Sequence, residues 1–273
     1  MTGLSSVIIL NKAEPSETVV DQPIDAALTL AMADLKAQFI DVESGAVRYK
    51  GIRDSEAFGR YKNLTLRLRS FDLRSLESRN QRLAFWINIY NTGVIHGVIE
   101  LGLERSVKEF RRFFDRVAYE VGGHRFSLNQ IEHGILRGNR RPPYRLLRPF
   151  GKGDPRIEFA AFPMDMRIHF ALVCGARSCP PIGFYEADQI DFQLDLAAGS
   201  FVNSPQVEIL PGATTIYLSM IFKWYRGDFE GRKRLLDTLL EFLDEGEKKA
   251  FLKQHRDSIR IKYQPYDWSL NAS

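Results

Sequence analysis

The stretch from Gln81 to Leu101 constrains the fold more than any other part of the sequence. Its apolar side chains surround a helix on nearly every side: Leu83, Ala84, Phe85, Trp86, Ile87, Ile89, Tyr90, Val94, Ile95, Val98 and Ile99. A helix that is apolar all round belongs inside a protein core. The stretch is too polar to span a membrane, so the sequence predicts a buried helix over residues 81–101 with the rest of the chain packed around it.

Four polar residues interrupt this helix, namely Asn88, Asn91, Thr92 and His96. At about 100° per residue they fall on one stripe of the helix instead of scattering around it. Buried polar groups of this kind need hydrogen-bond partners. Two interpretations stay open: the amides bond neighbouring backbone, which is the more common case, or the stripe faces a reactive centre.

The composition is that of a globular protein with little net charge. The chain has 273 residues, 44% of them hydrophobic, and this is enough to bury a full core. Its net charge of +4 is too small to indicate nucleic acid by itself. Cys174 and Cys179 are too few for a disulfide scaffold, and C-x4-C without a second Cys/His pair is a poor zinc signature. We therefore expect no metal and no cofactor, and both cysteines are candidates for thiol chemistry.

Apolar spacing and turn residues predict the elements before residue 140. Residues 1–20 are expected to form a flexible arm, followed by helices over residues 23–40 and 54–70. Gly122-Gly123 between two alternating runs predicts a hairpin over residues 117–128.

The segment after this hairpin carries a helix start signal. Ser127 with Gln130 three residues later forms a capping box, which predicts a short helix as far as Arg137. Glu132 and His133 are neighbours in that helix, so we expect their side chains to face different directions.

The second half of the chain is predicted to contain both strands and helices. Arg167 to Cys174 has the pattern of a strand, which would place Cys174 on an apolar face and Cys179 in the loop that follows it. The remaining predicted elements are a helix from residue 188, a hairpin over residues 207–218, a helix over residues 232–254 and a strand over residues 258–263.

These elements predict an α+β fold. Neither an internal repeat nor a low-complexity linker occurs in the sequence, so residues 21–273 are expected to form a single globular domain. The buried helix is expected to pack on a mostly antiparallel sheet that contains residues 167–174 and 258–263. A papain-like or transglutaminase-like architecture is one candidate for such a fold.

A basic loop connects the two halves of the sequence. Residues 137–156 contain seven basic residues and one acidic residue among four prolines and three glycines. The loop lacks the glycine-rich approach to a helix start that cradles phosphate, so a solvated connection is the favoured interpretation. It also lacks stacking aromatic residues beyond Tyr144 and Phe150, and we expect no nucleic-acid partner.

Five motifs in this order resemble the DUF547 domain family. They are FWINIYN (85–91), VGGHRFSLNQIEHGILR (121–137), RIHFALVCGARSCPP (167–181), IFKWYRGDF (221–229) and YDWSLN (266–271). The similarity covers residues 47–271, and it implies a soluble bacterial domain whose activity is undetermined. The resemblance also implies how plant-type relatives differ. They are expected to have a cysteine at the position of Cys174 and a serine at the position of Cys179. They are expected to lack a histidine at the position of His169.

Two functional hypotheses of different class remain. The first is a thiol-dependent hydrolase or acyl transferase, in which Cys179 is the nucleophile and Cys174 the fallback. His169 or His133 would be its base, and Asn88 or Asn91 would orient that imidazole, with an unknown small molecule or peptide as substrate. The second is a non-catalytic binding or scaffold module in which these Cys, His and Asn residues are buried structural groups.

The N-terminal residues predict the location of the protein. Residues 1–17 have a short apolar run with no basic start before it, unlike a signal peptide, so we expect a cytoplasmic protein with no membrane partner. Secretion stays open if a leader precedes Met1 in the natural chain.

Overall fold

The computed structural model describes residues 6–12, 24–41, 45–143 and 145–273. The chain divides into two compact units. The first comprises Met1–Asp165, Leu172–Ile190 and Trp268–Ser273, and the second comprises Met166–Ala171 and Asp191–Asp267. Helices and small mixed sheets occur together, which confirms the predicted α+β class. The division into domains stays a prediction.

The first unit is mainly helical. Its α-helices are α1 (Ile24–Phe39), α2 (Tyr49–Arg53), α3 (Glu56–Arg67), α4 (Arg79–Glu100) and α5 (Phe113–Arg116). A π-helix spans Gln130–Leu136, and 3₁₀ turns span Leu68–Ser70, Leu73–Ser75, Val107–Glu109 and Pro155–Phe159. Its sheet consists of β1 (Ile8–Ile9), β2 (Val117–Val121) and β3 (His124–Ser127).

Helix α4 is the predicted buried helix. A reciprocal capping box starts it, in which the Ser78 N–H donates to Gln81 Oε1 and the Gln81 N–H donates to Ser78 Oγ. Every residue from Leu83 to Ile99 is buried. Gly93 and Gly97 allow the close packing of α4 on the sheet, because a Cβ at either position would lie 2.9 Å from a side chain of the neighbouring elements.

The first sheet pairs β2 with β3 antiparallel and β1 with β2 parallel. Gly122 and Gly123 turn the predicted hairpin at φ values of 56° and 72°. The expectation of a flexible arm over residues 1–20 is wrong for residues 6–12, because β1 joins the sheet. Asn11 is buried there and donates from Nδ2 to Thr65 O and Glu120 O, each at 2.9 Å. The rest of the predicted arm lies outside the described residues.

The second unit contains the remaining helices and strands. They are α6 (Ile190–Val202), β4 (Val207–Glu208), β5 (Thr215–Leu218), α7 (Met220–Trp224), α8 (Arg232–Phe242), α9 (Glu247–His255) and β6 (Arg260–Tyr263). Strand β5 is central, antiparallel to β4 and parallel to β6. Phe170, Phe201, Phe222 and Phe229 form an aromatic group in its core, with ring centroids between 5.2 and 6.1 Å apart for neighbouring rings.

Two predicted elements differ in this half of the chain. The strand predicted over residues 167–174 is wrong, since Met166–Phe170 is a 3₁₀ helix. A short apolar run cannot be assigned by periodicity alone, and here the Ala171 N–H donates back to Ile168 O at 3.0 Å. The helix predicted over residues 232–254 is divided because the Asn203 side chain bonds Phe242 O and the Asp244 N–H between α8 and α9.

The prediction of a mostly antiparallel sheet that contains residues 167–174 is also wrong. Residues 167–174 contribute no strand, and each of the two sheets has one parallel and one antiparallel pair instead of being mostly antiparallel. Strand β6 overlaps the strand predicted over residues 258–263. It pairs parallel to β5, whereas hairpin signals in a sequence predict only antiparallel pairs. No helix within the described ranges combines the length and the apolar character needed to cross a bilayer.

Candidate functional site

Asn88 and Asn91 of α4 hold the chain segment that carries both cysteines. Asn88 Oδ1 accepts from the Tyr185 N–H at 2.9 Å, and its Nδ2 donates to Tyr185 O at 2.8 Å. Asn91 Oδ1 accepts from the Val173 N–H at 3.0 Å, and its Nδ2 donates to Gly183 O at 3.3 Å. The stripe on α4 therefore bonds backbone on both sides of the cysteine loop, which we define as residues 174–179.

The cysteine loop is closed by a disulfide. Cys174 and Cys179 are joined through their sulfur atoms, and their Cα atoms lie 6.2 Å apart. The Cys174 N–H also points at Cys179 Sγ, at an N to S distance of 2.9 Å, and the Cys179 N–H donates to Ala176 O at 3.0 Å. Both cysteines are half-buried, so the expected difference between a sealed Cys174 and an accessible Cys179 does not appear in their burial.

The C-terminal residues hold the cysteine loop from another side. The Asn271 N–H donates to Gly175 O at 3.1 Å, and the Arg177 N–H donates to Ser269 O at 2.9 Å. The Asn271 side chain accepts from the Tyr49 hydroxyl at 2.8 Å and donates to Gly45 O at 2.9 Å. Burial raises the pKa of Tyr49. The sequence identified YDWSLN as a motif, but not the bonds from Asn271 to these residues.

His133 lies in a buried polar cluster on the π-helix. Its Nδ1 is 3.4 Å from Glu132 Oε1 and 2.9 Å from Arg137 Nη1. The Tyr90 hydroxyl donates to Glu132 Oε2 at 3.1 Å. The expectation that Glu132 and His133 face different directions is therefore wrong, because the wider turn of a π-helix changes the angle between successive side chains.

Two charged neighbours act on the same nitrogen of His133. A guanidinium can only donate, so Nδ1 of the neutral ring accepts from Arg137. A carboxylate can only accept, so the nearby Glu132 favours a proton on the same Nδ1.

His169 has a different partner, within the second unit. Its Nε2 lies 2.9 Å from Asp228 Oδ2, and both side chains are buried. The Tyr225 ring stacks on the imidazole, with centroids 3.9 Å apart. An ionised carboxylate can only accept, so Nε2 carries the proton and Nδ1 is the accepting nitrogen of the neutral ring. Asp228 orients this imidazole. In the sequence, the only indication of a role for Asp228 was its position in the RGDF motif.

The last polar residue of the α4 stripe belongs to a buried hydroxyl chain. His96 Nδ1 lies 2.8 Å from the Tyr119 hydroxyl, which lies 2.8 Å from the Tyr61 hydroxyl. Desolvation, with a smaller effect of Lys62, lowers the pKa of His96 to about 3, and burial raises the pKa of Tyr61 to about 12. These groups stay neutral at ordinary pH, so they fill the core between α3, α4 and β2.

A groove of ≈ 390 Å³ lies beside the segment that Asn88 holds. Its walls are mostly apolar side chains of α1 and α4, including Leu28, Met32, Phe85 and Ile89, and Asn88 and Tyr185 also line it. Mostly apolar clefts with a few polar groups are the usual form of small-molecule sites. No group of three or more His, Cys, Asp or Glu side chains suited to a metal occurs among the described residues.

The structure thus brings together Cys174, Cys179, Asn88 and Asn91 through the cysteine loop, and it gives His133 and His169 separate local partners. Residues 73–202 match the family model described as "Protein of unknown function, DUF547". Neither a curated protein nor a solved structure matches the chain. The matched range includes α4, the π-helix and the cysteine loop.

Proposed function

Residues 73–202 belong to the DUF547 family, and from this premise we propose that the domain performs thiol-dependent acyl chemistry, as a hydrolase or acyl transferase, when its disulfide is reduced. Cys179 is the nucleophile in this proposal. The observation that carries it is that, in the disulfide form, the Cys174 N–H is directed at Cys179 Sγ at 2.9 Å. A main-chain N–H that donates to a sulfur stabilises the thiolate and lowers the pKa of the thiol.

The loop around Cys179 is held in place before any substrate binds. Asn91 bonds the backbone at Val173, Asn88 bonds it at Tyr185, and Asn271 bonds it at Gly175. A nucleophile on a loop held at both ends loses little conformational freedom when it reacts. This supports a reactive role for the loop, and it also explains why amides occur inside an apolar helix.

The proposed reaction begins with reduction of the Cys174–Cys179 disulfide by an external dithiol, which supplies two electrons and two protons. The Cys179 thiolate then attacks the carbonyl carbon of an acyl donor, a thioester forms, and the leaving group departs with a proton from the base. Water or another nucleophile attacks the thioester and releases the acyl group, which restores the thiol.

The base of this reaction is one of the two predicted histidines, His169 or His133. The Nε2–H of His169 bonds Asp228, a carboxylate that orients the imidazole and would stabilise its protonated form. His133 lies between Arg137 and Glu132.

A non-catalytic binding module is the second candidate function. The mostly apolar groove lined by Asn88 and Tyr185 favours it, because clefts of this kind are the usual form of small-molecule sites. The groove beside Asn88 would be its binding site, for a small apolar ligand. In this case the disulfide is a permanent closure of the loop.

Acylation of the reduced protein separates the two candidates. The protein is treated with dithiothreitol, the reductant is removed, p-nitrophenyl acetate is added, and intact mass and p-nitrophenolate release are followed. We expect one acetyl group on Cys179, which is lost in Cys179→Ser and retained in Cys174→Ser as the matched control. His169→Asn and His133→Asn identify the base, because only loss of the base should slow the acylation strongly. If Cys179 acquires no acetyl group, the catalytic proposal is wrong and the binding module remains.

A further inference from the structure

Two adjacent leucines are almost fully exposed on the basic loop of the first unit. We define the leucine-arginine loop as residues 140–152, without Tyr144. Leu146 is 84% exposed and Leu147 is 81% exposed, the two highest values among the large hydrophobic residues of the described ranges. Scattered surface leucines are common, but two such side chains next to each other form an apolar tip.

The structure holds this loop in a defined conformation. Asn139 Oδ1 accepts from the Phe150 N–H and its Nδ2 donates to Phe150 O, both at 3.0 Å, so one side chain closes the base of the loop. Phe150 is buried, and Arg148 Nη1 donates to Asn139 O at 2.8 Å. The leucines are therefore presented to solvent by an anchored loop.

The charge around the leucines is positive. No acidic residue occurs from Arg137 to Gly153, and Arg141, Arg148 and Lys152 are exposed. None of these three side chains has a carboxylate partner within the part of the chain that the structure describes. Arg145 does have one, at Asp115, so the net positive charge comes mainly from the other three.

We propose that the leucine-arginine loop binds the surface of an anionic membrane. Leu146 and Leu147 would enter the boundary between headgroups and acyl chains, while the flanking arginines and Lys152 remain with the lipid phosphates. Apolar side chains flanked by basic ones suit such an interface, where burial of hydrocarbon and attraction to anionic lipid act together. This differs from the expectation of no membrane partner, because the sequence alone did not show that both leucines are exposed.

A lipid surface fits these residues better than the other anionic macromolecules. Single-stranded nucleic acid is bound by aromatic side chains on which bases stack, and Leu146 and Leu147 offer no such surface. The loop also lacks the glycine-rich start of a helix that suits a single phosphate. The adjacent leucines are the feature that the apolar boundary of a membrane would bury.

Vesicle sedimentation of the full chain tests the proposal. Vesicles of phosphatidylcholine alone are compared with vesicles that contain about a quarter phosphatidylserine. We expect binding to the anionic vesicles and weak or no binding to the neutral ones. Raising the salt to about 0.5 M should weaken the binding at least several-fold, because it screens the lipid charge.

Two double variants separate the loop from general surface hydrophobicity. Leu146→Ser/Leu147→Ser should reduce the affinity for anionic vesicles about tenfold or more, with an unchanged melting temperature. Leu196→Ser/Leu210→Ser removes two other exposed leucines, 62% and 53% exposed, and should leave the binding unchanged. Equal binding by the Leu146→Ser/Leu147→Ser variant, or no binding by the natural sequence, would overturn the proposal. The proposal would also be overturned by oligonucleotide binding that competes with vesicle binding and persists in the Leu146→Ser/Leu147→Ser variant.

Discussion

Asn88 bonds both main-chain groups of Tyr185, accepting from its N–H at 2.9 Å and donating to its carbonyl at 2.8 Å. The Asn88 side chain thus makes the pair of hydrogen bonds to the Tyr185 main chain that a neighbouring strand would make, although Tyr185 lies outside the sheets. Because Asn88 is itself buried on α4, the most buried helix of the first unit fixes the position of the segment after the cysteine loop.

The substitution Asn88→Ala should destabilise the protein by about 3 kcal/mol. It leaves the N–H and the carbonyl of Tyr185 buried without partners, and each such group costs about 1–3 kcal/mol. Urea denaturation measures the effect. Asn63→Ala, at an exposed position of α3, is the control and should change the free energy of unfolding by less than about 0.5 kcal/mol. Equal effects of the two substitutions would show that the Asn88 bonds do not hold this segment.

The substitution Asn271→Ala should lower the melting temperature by several degrees. It removes the hydrogen bonds from Tyr49 and to Gly45, a loss of about 2 kcal/mol, and a chain of this size loses about 2–4 °C for each kcal/mol. Calorimetry beside the Asn63→Ala control checks the value. An unchanged melting temperature would mean that the side-chain bonds of Asn271 contribute nothing to stability.

Reduction of the disulfide should lower the free energy of unfolding by about 2 kcal/mol. Closing a loop between residues five apart restricts the unfolded chain by roughly that amount. Urea titrations with and without dithiothreitol measure the difference. The unfolding free energy of the Cys174→Ser/Cys179→Ser variant should not change with the reductant. If the unfolding free energy of the natural sequence is also unchanged after complete reduction, the expected loss of about 2 kcal/mol is wrong.

Burial of His96 should make the protein less stable as the pH falls below about 6.5. The pKa of this histidine is lowered from 6.5 to about 3 by folding, so between these values the unfolded state binds a proton that the folded state does not. The contribution of His96 to the free energy of unfolding is fully present above its pKa in the unfolded state. It decreases as the pH falls toward 3, by about 2 kcal/mol between pH 7 and pH 5.

The variant His96→Gln tests this dependence because it cannot titrate. We expect its deficit in unfolding free energy relative to the natural sequence to shrink by about 2 kcal/mol from pH 7 to pH 5. Asn63→Ala, which changes no titratable group, is the control and should keep a constant difference. A deficit for His96→Gln that is the same at both pH values would show that His96 titrates normally in the folded protein.

The sequence predicted those parts of the fold that depend on local pattern. Helix α4 was predicted because apolar residues surround it, and the β2–β3 hairpin because Gly122-Gly123 supplies positive φ values. The capping box of Ser127 and Gln130 is present as predicted, with hydrogen bonds of 3.0 and 3.2 Å. These features are set by residues close together in the chain.

The sequence did not predict the features that depend on residues far apart. The π-helix changed the relation between Glu132 and His133, and the partner of His169 is Asp228, 59 residues away. The segment from Arg167 had a strand pattern, but its backbone bonds are made by a 3₁₀ turn and the Asn91 side chain. Spacing also could not show that the Asn88 and Asn91 amides bond the backbone at Val173, Gly183 and Tyr185.

The reactivity of Cys179 in the reduced protein tests the central proposal most directly. The protein is reduced, labelled with iodoacetamide across a range of pH, and the adducts on Cys174 and Cys179 are mapped by mass spectrometry. The N–H of Cys174 should lower the pKa of the Cys179 thiol, so we expect rapid labelling there with an apparent pKa well below the free value of about 8.5. Slow labelling of both cysteines, or labelling of Cys179 with an unshifted pKa, would contradict a thiolate nucleophile at this position.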